Sequence, residues 1–241
     1  MTAFFVSDLH FGLLSKIEEK EREIKFVKFL EYIAKDATQL FIVGDLFDYW
    51  FEYERVIQKG YFRTFTALQN LTDAGIKVHY IIGNHDFMHR DFFDKELGVK
   101  VYENPIKITL EGKKFFIAHG DGLVKKDFGY KILKKILRNK TAQKFYSLIH
   151  PDLGIWLASS TSRKSRNYTS EKNYGETDGM FLTAEKLLAK GFDFVVFGHS
   201  HKKKEIEIND GKYINLGTWL TKPYYGKFIN GKFDVMEWNN K

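Results

Sequence analysis

The chain has 241 residues and a mass of 28.3 kDa, a size that suits one large α/β domain or one domain with an inserted cap. Apolar residues make up 44% and charged residues 29%, which excludes disorder as the main state. The absence of cysteine excludes disulfides, thiolate zinc clusters and a cysteine nucleophile, so any metal must be held by His, Asp, Asn or Glu. No stretch approaches the ~20 apolar residues that span a bilayer and no signal peptide is recognisable, so we expect a soluble or peripheral protein.

The positive charge is concentrated in one segment. The chain carries 38 Lys and Arg against 31 Asp and Glu, a net charge of +7. Residues 122–168 contain eleven of the basic residues and only two aspartates, a local charge of +9, so the rest of the chain is slightly negative. A positive field of this kind favours anionic partners such as phosphates or acidic lipid surfaces.

The first half of the chain alternates between strand and helix patterns. Apolar runs predict buried strands at residues 3–7, 40–43 and 76–82. A capping box at Ser15 and Glu18 opens the first helix, and a second helix is predicted at about 54–74. This βαβαβ order predicts a mainly parallel core sheet. A short helix near 91–97 and strands near 99–102, 106–110 and 114–118 follow.

The second half begins with a helical pattern of a different kind. Residues 130–168 are helical in periodicity but interrupted by Pro151 and Gly154, and we interpret them as a helical insertion. A helix at about 173–190, a strand at 193–197 and a meander complete the chain, with hairpin turns at Asp210–Gly211 and Asn230–Gly231. We therefore expect residues 1–121 and 171–241 to form one domain that is interrupted by an insertion at 122–170.

Five short motifs directly follow predicted strands: DLH, GDLFD, GNHD, HGD and GHSH. Residues beyond the carboxyl ends of strands share one crevice in an open α/β sheet, so these motifs are expected to converge. DLH and GHSH each contain two candidate ligands spaced i and i+2, which an extended segment would place on one side. Five of the eight histidines lie in these motifs, which chance placement would scatter.

The motifs supply seven candidate metal ligands of mixed nitrogen and oxygen type: Asp8, His10, Asp45, Asn84, His119, His199 and His201. Seven ligands suffice for two divalent ions if one carboxylate is shared, and Asp45, in the middle of the predicted sheet, is the natural bridge. Two such ions with two carboxylates and a hydroxide leave a small positive charge, which favours a phosphate oxyanion. The pattern indicates phosphoester hydrolysis.

The five motifs, in this order, resemble the signature of calcineurin-like metallophosphoesterases. The resemblance implies a four-layer α/β/β/α fold with a helical insertion as a cap, and two metal ions that are usually manganese. It also implies the ligands of each ion. One ion would be held by Asp8, His10, Asp45 and His201, and the other by Asp45, Asn84, His119 and His199.

A narrower resemblance extends over nearly the whole chain. GDLFDYWFEYE, HGDGLVKKDFGY, the basic insertion and the closing NLGTW are similar to the UDP-2,3-diacylglucosamine hydrolase family. That family cleaves the pyrophosphate of UDP-2,3-diacylglucosamine to UMP and 2,3-diacylglucosamine 1-phosphate in lipid A synthesis, which implies a cytoplasmic enzyme on the inner face of the inner membrane. The chain departs from that family at one position, because His85 stands where an arginine is typical.

Further residues receive roles from position or resemblance. We expect His85, with Asp45 and Asn84, to form the catalytic centre, where His85 donates a hydrogen bond or a proton to the phosphate or the leaving group. Asp48 and Asp86 are expected to orient a histidine or asparagine. The family resemblance suggests substrate contacts for five residues besides His85: Asp127, Tyr130, Arg163, Lys164 and Arg166.

The insertion allows two interpretations. An apolar stripe lies beside basic residues: Tyr130, Ile132, Leu133, Ile136 and Leu137 beside Lys131, Lys134, Lys135 and Arg138. This pattern is typical of an interfacial helix and favours a lid over acyl chains, although a solvated basic face is the alternative.

Two other functions stay open. The first is a phosphodiesterase or nuclease of the same fold, but the aliphatic stripe lacks the aromatic platform that single strands need, so no nucleic acid partner is expected. The second is a non-catalytic membrane-binding or protein-binding scaffold, which would be expected to have lost ligands.

Overall fold

The computed structural model describes residues 1–123, 138–157, 160 and 176–239. In chain order the strands are β1 (Thr2–Val6), β2 (Gln39–Val43), β3 (Lys77–Ile81), β4 (Lys100–Tyr102), β5 (Ile106–Leu110), β6 (Lys113–Ile117), β7 (Phe194–Phe197), β8 (Lys204–Ile208), β9 (Gly211–Asn215), β10 (Tyr224–Ile229) and β11 (Lys232–Glu237). The helices are α1 (Lys16–Ile33), α2 (Phe62–Asp73), α3 (Lys140–Tyr146) and α4 (Glu176–Leu188), with a π-helical turn at Phe92–Glu96 and a further helical segment at 151–157.

The strands form two sheets. The first has the order β11-β10-β1-β2-β3-β4, in which β1 to β4 are parallel and β10 and β11 are antiparallel. The second has the order β5-β6-β7-β9-β8, with a parallel centre of β6, β7 and β9. The predicted parallel core sheet is therefore present in the first sheet, flanked by an antiparallel hairpin.

Alternate side chains of a strand point to opposite faces of its sheet, and in both sheets the side chains on each face are packed in a core. In β1, Phe4 packs in the core shared with α1 and α2, whereas Phe5 packs between the sheets. In β7, Val196 packs between the sheets and Val195 in a third core that includes Met180 of α4. The layers are thus helices, first sheet, second sheet and helix, which confirms the predicted α/β/β/α fold.

Local sequence signals explain several element ends. The capping box is present: Ser15 accepts a hydrogen bond from the Glu18 backbone, and the Glu18 side chain accepts one from Ser15. The Asn230–Gly231 turn joins β10 to β11 with both residues at positive φ, 52° and 74°, as a two-residue hairpin turn requires. The turn between β8 and β9 consists of Asn209 and Asp210, one residue earlier than predicted.

Two predictions of elements were wrong. Helix α2 begins at Phe62 and not near residue 54, because Gly60 and Tyr61 both have left-handed backbones, with φ of 99° and 57°, that a right-handed helix cannot include. The tail is also not a single meander. The β8–β9 hairpin belongs to the second sheet and the β10–β11 hairpin to the first, so the segment between them crosses from one sheet to the other.

The described part of the insertion is helical and is attached to the loop that follows β2. Tyr146 at the end of α3 packs against Phe51 with ring centroids 4.8 Å apart, and its hydroxyl donates to the carbonyl of Gly154 at 2.6 Å. The Tyr49 hydroxyl also lies 3.4 Å from the Tyr146 hydroxyl. The boundaries of the insertion at residues 122 and 170 stay a prediction.

Candidate metal centre

The seven candidate ligands lie in loops at the carboxyl ends of five strands. Asp8 and His10 follow β1, Asp45 follows β2, Asn84 follows β3, His119 follows β6, and His199 and His201 follow β7. Three of these strands belong to the first sheet and two to the second. The loops of the two sheets therefore meet at one edge of the sandwich and bring together all seven side chains.

One group of ligands consists of Asp8, His10 and His201. The Nε2 atoms of the two histidines are 3.0 Å apart, and Oδ1 of Asp8 lies 3.2 Å from Nε2 of His201 and 3.6 Å from Nε2 of His10. Ligand atoms that share one ion at bond lengths of about 2.1 Å are themselves roughly 3 to 3.5 Å apart. The spacing of this group suits a single cation.

The second group consists of Asp45, His119 and His199, with Asn84 beside it. Nε2 of His119 lies 3.1 Å from Oδ2 of Asp45 and 3.0 Å from Oδ1 of Asn84. The same Oδ2 of Asp45 is 3.7 Å from Nε2 of His10 in the first group. Asp45 therefore faces both groups, which is the position that a bridging carboxylate needs.

The hydrogen bond on the far side of His119 fixes which ring nitrogen faces the cluster. Nδ1 of His119 lies 2.9 Å from the carbonyl of Val43 and must carry the proton, because a carbonyl can only accept. In the neutral ring, the lone pair of Nε2 then points at the oxygens of Asp45 and Asn84. Three lone pairs that converge in this way need a proton or a cation between them.

The protonation behaviour of the cluster shows its negative potential. Burial by itself would lower the pKa of His119, but the charge of Asp45 and its hydrogen bond raise that pKa to about 10. Burial would likewise lower the pKa of His10, but hydrogen bonds with Asp48 and Asp8 raise it to about 9. A site that holds protons so strongly favours other cations in the same place.

The carboxylates show the matching behaviour. Burial would raise the pKa of Asp8, but its interactions with the imidazoles of His10 and His201, when these are protonated, outweigh it and the pKa is lowered. The buried Oδ1 of Asp8 accepts no hydrogen bond, although the other oxygen accepts from the backbone of His199 and from the Ser7 hydroxyl. An orphaned oxygen beside two imidazoles, in a donor set of N and O atoms, fits divalent ions.

Five of the candidate ligands have left-handed backbones: Asp8, His10, Asp45, His199 and His201, with φ between 51° and 66°. The prediction that DLH and GHSH are extended segments with ligands on one side was therefore wrong, although both pairs do converge. For a residue with a Cβ atom, this left-handed conformation costs about 1 to 2 kcal/mol relative to the right-handed one. Such backbone strain is concentrated where function constrains geometry.

His85 and Asp48 lie next to the first group. Nδ1 of His85 donates to the backbone carbonyl of Asp48 at 3.0 Å, and its backbone N–H donates to Oδ1 of Asp45 at 2.9 Å. Oδ1 of Asp48 is 3.6 Å from Nδ1 of His85 and 3.7 Å from Nδ1 of His10. Asp48 therefore lies near two imidazoles, and its expected role of orienting a histidine stays a prediction.

Asp86 acts on the backbone rather than on a histidine or asparagine side chain, which corrects the expectation for it. Its carboxylate accepts hydrogen bonds from the backbone of Gly83 and Leu46, both at 2.7 Å, and from the Tyr80 hydroxyl. Burial and the nearby charge of Asp45 raise its pKa to about 6. Asp86 therefore ties the GNHD loop to the GDLFD loop.

The closing NLGTW segment contributes contacts that the sequence did not assign. The Asn215 side chain donates to the carbonyl of Gly198 at 2.6 Å, and the Thr218 hydroxyl donates to the carbonyl of Asp8 at 2.9 Å. Both side chains are buried. The segment therefore holds the GHSH and DLH loops through their backbone carbonyls. The only sequence signal for this role was the NLGTW motif itself.

Some predicted residues lie outside the part of the chain that the structure describes: Asp127, Tyr130, Arg163, Lys164 and Arg166. None of the described helices is long and apolar enough to cross a membrane. His79, outside the motifs, stacks on Phe41 and lies 2.9 Å from the Tyr102 hydroxyl and 3.1 Å from the Gln39 side chain.

Comparisons with known proteins agree with this geometry. The family model for calcineurin-like phosphoesterases matches residues 1–203. UDP-2,3-diacylglucosamine hydrolases from Porphyromonas gingivalis and Neisseria meningitidis serogroup B are 32% and 30% identical over 90% of this chain, covering 90% and 89% of their own lengths. The fold is similar to that of an archaeal phosphodiesterase, with a TM-score of 0.51, 13% identity and coverage of 99% of this chain and all of the other. The chain therefore belongs to the calcineurin-like phosphoesterase family and is a metal-dependent hydrolase.

Proposed function

We propose that this hydrolase cleaves the pyrophosphate of UDP-2,3-diacylglucosamine to UMP and 2,3-diacylglucosamine 1-phosphate in lipid A synthesis. The observation that carries the proposal is the pair of ligand groups joined by Asp45, because a pyrophosphate presents adjacent anionic oxygens to adjacent cations. Relatives that are named for this activity match 90% of the chain, a share large enough that the match must include the insertion.

We propose manganese as the ion in both positions. The ligands are imidazole nitrogens with carboxylate and amide oxygens, a donor set that suits manganese, iron or zinc. When bound, the divalent ions supply charge stabilisation for phosphate oxygens and lower the pKa of water. The chain's own part is to hold the ligands at fixed spacing, and Asp86 does so by joining the backbones of two ligand loops.

His85 is the residue proposed to act directly on the phosphate. Nδ1 of His85 donates its proton in a hydrogen bond to the carbonyl of Asp48, so Nε2 is the nitrogen that is left to contact a substrate. When the ring is protonated, Nε2 can donate a hydrogen bond or a proton to the phosphate. In the proposed reaction, water adds to the α-phosphorus, the bond to the bridging oxygen breaks, and the lipid phosphate leaves. The contacts with Asp48 and Asp45 keep the imidazole beside the first ligand group.

The enzyme is further proposed to be cytoplasmic and to bind the inner membrane peripherally. The described part of the insertion exposes large apolar side chains, with Phe145, Leu148 and Trp156 68%, 77% and 61% exposed. The insertion also has a net charge of +9, whereas the rest of the chain is slightly negative. Apolar side chains beside basic residues suit an anionic bilayer surface, where Trp lies at the headgroup level. Substrate contacts by Asp127, Tyr130, Arg163, Lys164 and Arg166 belong to the same proposal.

The test is UMP release from UDP-2,3-diacylglucosamine by the purified protein with manganese. The matched comparison is His85→Ala against His150→Ala, since His150 is exposed and far along the chain from the motifs. We expect activity in the wild type and in His150→Ala, and a strong loss in His85→Ala. Cleavage of simple phosphodiesters or other nucleotides without UMP release from the lipid would instead favour a phosphodiesterase with a different substrate.

A further inference from the structure

Arg138 connects the insertion to three loops of the core. Its Nη2 donates to the backbone carbonyl of Gly83 at 3.0 Å, and its Nη1 donates to the carbonyl of Glu103 at 3.4 Å. The same Nη2 lies 3.9 Å from Oδ2 of Asp121. Arg138 was predicted to belong to the basic face of the insertion, but its side chain is turned toward the candidate metal centre.

The contact with Gly83 falls on the peptide unit that leads into Asn84. Several hydrogen bonds hold this loop, and three of them involve its backbone directly: Gly83 N–H donates to Asp86 at 2.7 Å, His85 N–H donates to Asp45 at 2.9 Å, and the Gly83 carbonyl accepts from Arg138. The peptide between Gly83 and Asn84 can rotate only if the bond from Arg138 breaks. The bond from Arg138 therefore restrains the peptide from which Asn84 leaves the backbone.

The contact with Asp121 falls on the other loop of the same ligand group. Asp121 follows His119 by two residues and its side chain is only 6% exposed, so its charge is poorly screened by water. One guanidinium thus faces both the loop of Asn84 and the loop of His119. Oδ1 of Asn84 and Nε2 of His119 are 3.0 Å apart on the side that faces the second ligand group.

We propose that Arg138 is a positioning residue that fixes the spacing of Asn84 and His119. Through Arg138 the insertion is mechanically joined to one of the two proposed metal sites, the one shared by Asp45, Asn84, His119 and His199. The group formed by Asp8, His10 and His201 lies on different loops and is not held by Arg138. The inference rests on the metal pair of the proposed function but not on the identity of the lipid substrate.

The expected effect of losing Arg138 is therefore specific to one site. Removing a residue that orients a metal ligand typically costs 10- to 100-fold in metal affinity or activity. We expect Arg138→Ala to weaken the binding of one of two Mn²⁺ ions by roughly this factor and to lower kcat with little change in KM. In Arg138→Lys the affinity for this Mn²⁺ ion should lie between those of the wild type and Arg138→Ala. A lysine keeps the positive charge, but its single ammonium group lacks the two donor nitrogens with which the guanidinium contacts both carbonyls.

The experiment titrates Mn²⁺ into the metal-free full-length protein, by calorimetry and electron paramagnetic resonance, for the wild type, Arg138→Ala, Arg138→Lys and the control Lys140→Ala. Lys140 lies two residues away, and its side chain is 86% exposed and 3.9 Å from Glu103. Added guanidinium ion, at concentrations far below those that unfold proteins, should restore the weakened site in Arg138→Ala and leave Lys140→Ala unchanged.

Three results would overturn the proposal. In the first, Arg138→Ala binds both Mn²⁺ ions with wild-type affinity. In the second, it loses both sites equally, in step with a lower melting temperature and without rescue by guanidinium, which would make Arg138 a general structural residue. A large rise in KM with unchanged Mn²⁺ binding would also refute it, since Arg138 would then bind substrate. The Mn²⁺ titrations need no UMP release, so they stand even if the proposed lipid substrate is wrong.

Discussion

Gly83 is the position at which a single methyl group should disable the metal centre. A Cβ atom placed on Gly83 would lie 2.6 Å from the backbone nitrogen of Asp45 and 2.7 Å from its Cγ, and closer still to Oδ1. The φ angle of Gly83 is not positive, so Gly83→Ala introduces little backbone strain of its own. The cost of this substitution comes almost entirely from the displacement of Asp45.

The size of the effect follows from these distances. Carbon atoms in contact are separated by about 3.5 Å or more, so the Asp45 carboxylate or the Gly83 backbone must move by roughly 1 Å. Asp45 would also lose the hydrogen bond that Oδ1 accepts from His85 at 2.9 Å. A displacement of about 1 Å at a reacting centre can lower the rate on the order of 100-fold. We expect a loss of that order in kcat for Gly83→Ala, with weaker Mn²⁺ binding.

The assay compares UMP release and Mn²⁺ binding in Gly83→Ala with those in Gly75→Ala. Gly75 has φ of 82° and no atom within 4 Å of an added Cβ, so its substitution strains the backbone but touches nothing. Gly75→Ala should lower the free energy of unfolding by about 1 kcal/mol and keep full activity. Activity within threefold of wild type in Gly83→Ala, with both ions bound, would refute this reasoning. It would mean that the added methyl group does not displace the Asp45 carboxylate.

Three further outcomes are expected. His85→Ala should lower turnover while both Mn²⁺ ions stay bound, and loss of the ions, measured by metal analysis, would make His85 a ligand instead. Burial, together with the charges of Lys100 and Lys77, lowers the pKa of His79 to about 4. Above its ordinary pKa of 6.5 the ring is neutral in both the folded and the unfolded protein. As the pH falls from 6.5 toward 4 only the unfolded protein takes up the proton, so the free energy of unfolding decreases, by about 1 kcal/mol between pH 6 and pH 5. Urea unfolding of wild type and His79→Gln at pH 5, 6 and 7 checks this. If the free energy of unfolding depended on pH equally in both proteins, the expectation would be contradicted. Asn215→Ala should cost about 1 to 3 kcal/mol, because the Gly198 carbonyl loses one of its two donors and the buried Gly217 N–H loses its acceptor, and unchanged urea midpoints would show that water replaces the amide.

Much of the fold was predictable because its signals are local. The capping box at Ser15 and Glu18 and the turn at Asn230–Gly231 each depend on a few consecutive residues, and both are present. The start of α2 was missed because the signal that delays it is the left-handed backbone of Tyr61, a residue type that is rarely left-handed and gives no warning in the sequence.

The convergence of the seven ligands was also predictable, but its geometry was not. The motifs follow strands, and parallel strands bring their carboxyl ends to one edge. The left-handed backbones of Asp8 and His10 could not be inferred from spacing, because an extended segment and two left-handed residues both allow ligands at i and i+2.

The sequence by itself therefore determined the layers of the fold, the family and the residue types that face the proposed cations. Only the tertiary structure decided how those residues are held: Asn215 and Thr218 hold loops that are up to 210 residues away in the chain, and Arg138 reaches Gly83 across 55 residues. Periodicity and capping act over a few residues, so they are written in the local sequence. Contacts between distant loops depend on how two sheets and an insertion pack, and that is a property of the whole folded chain.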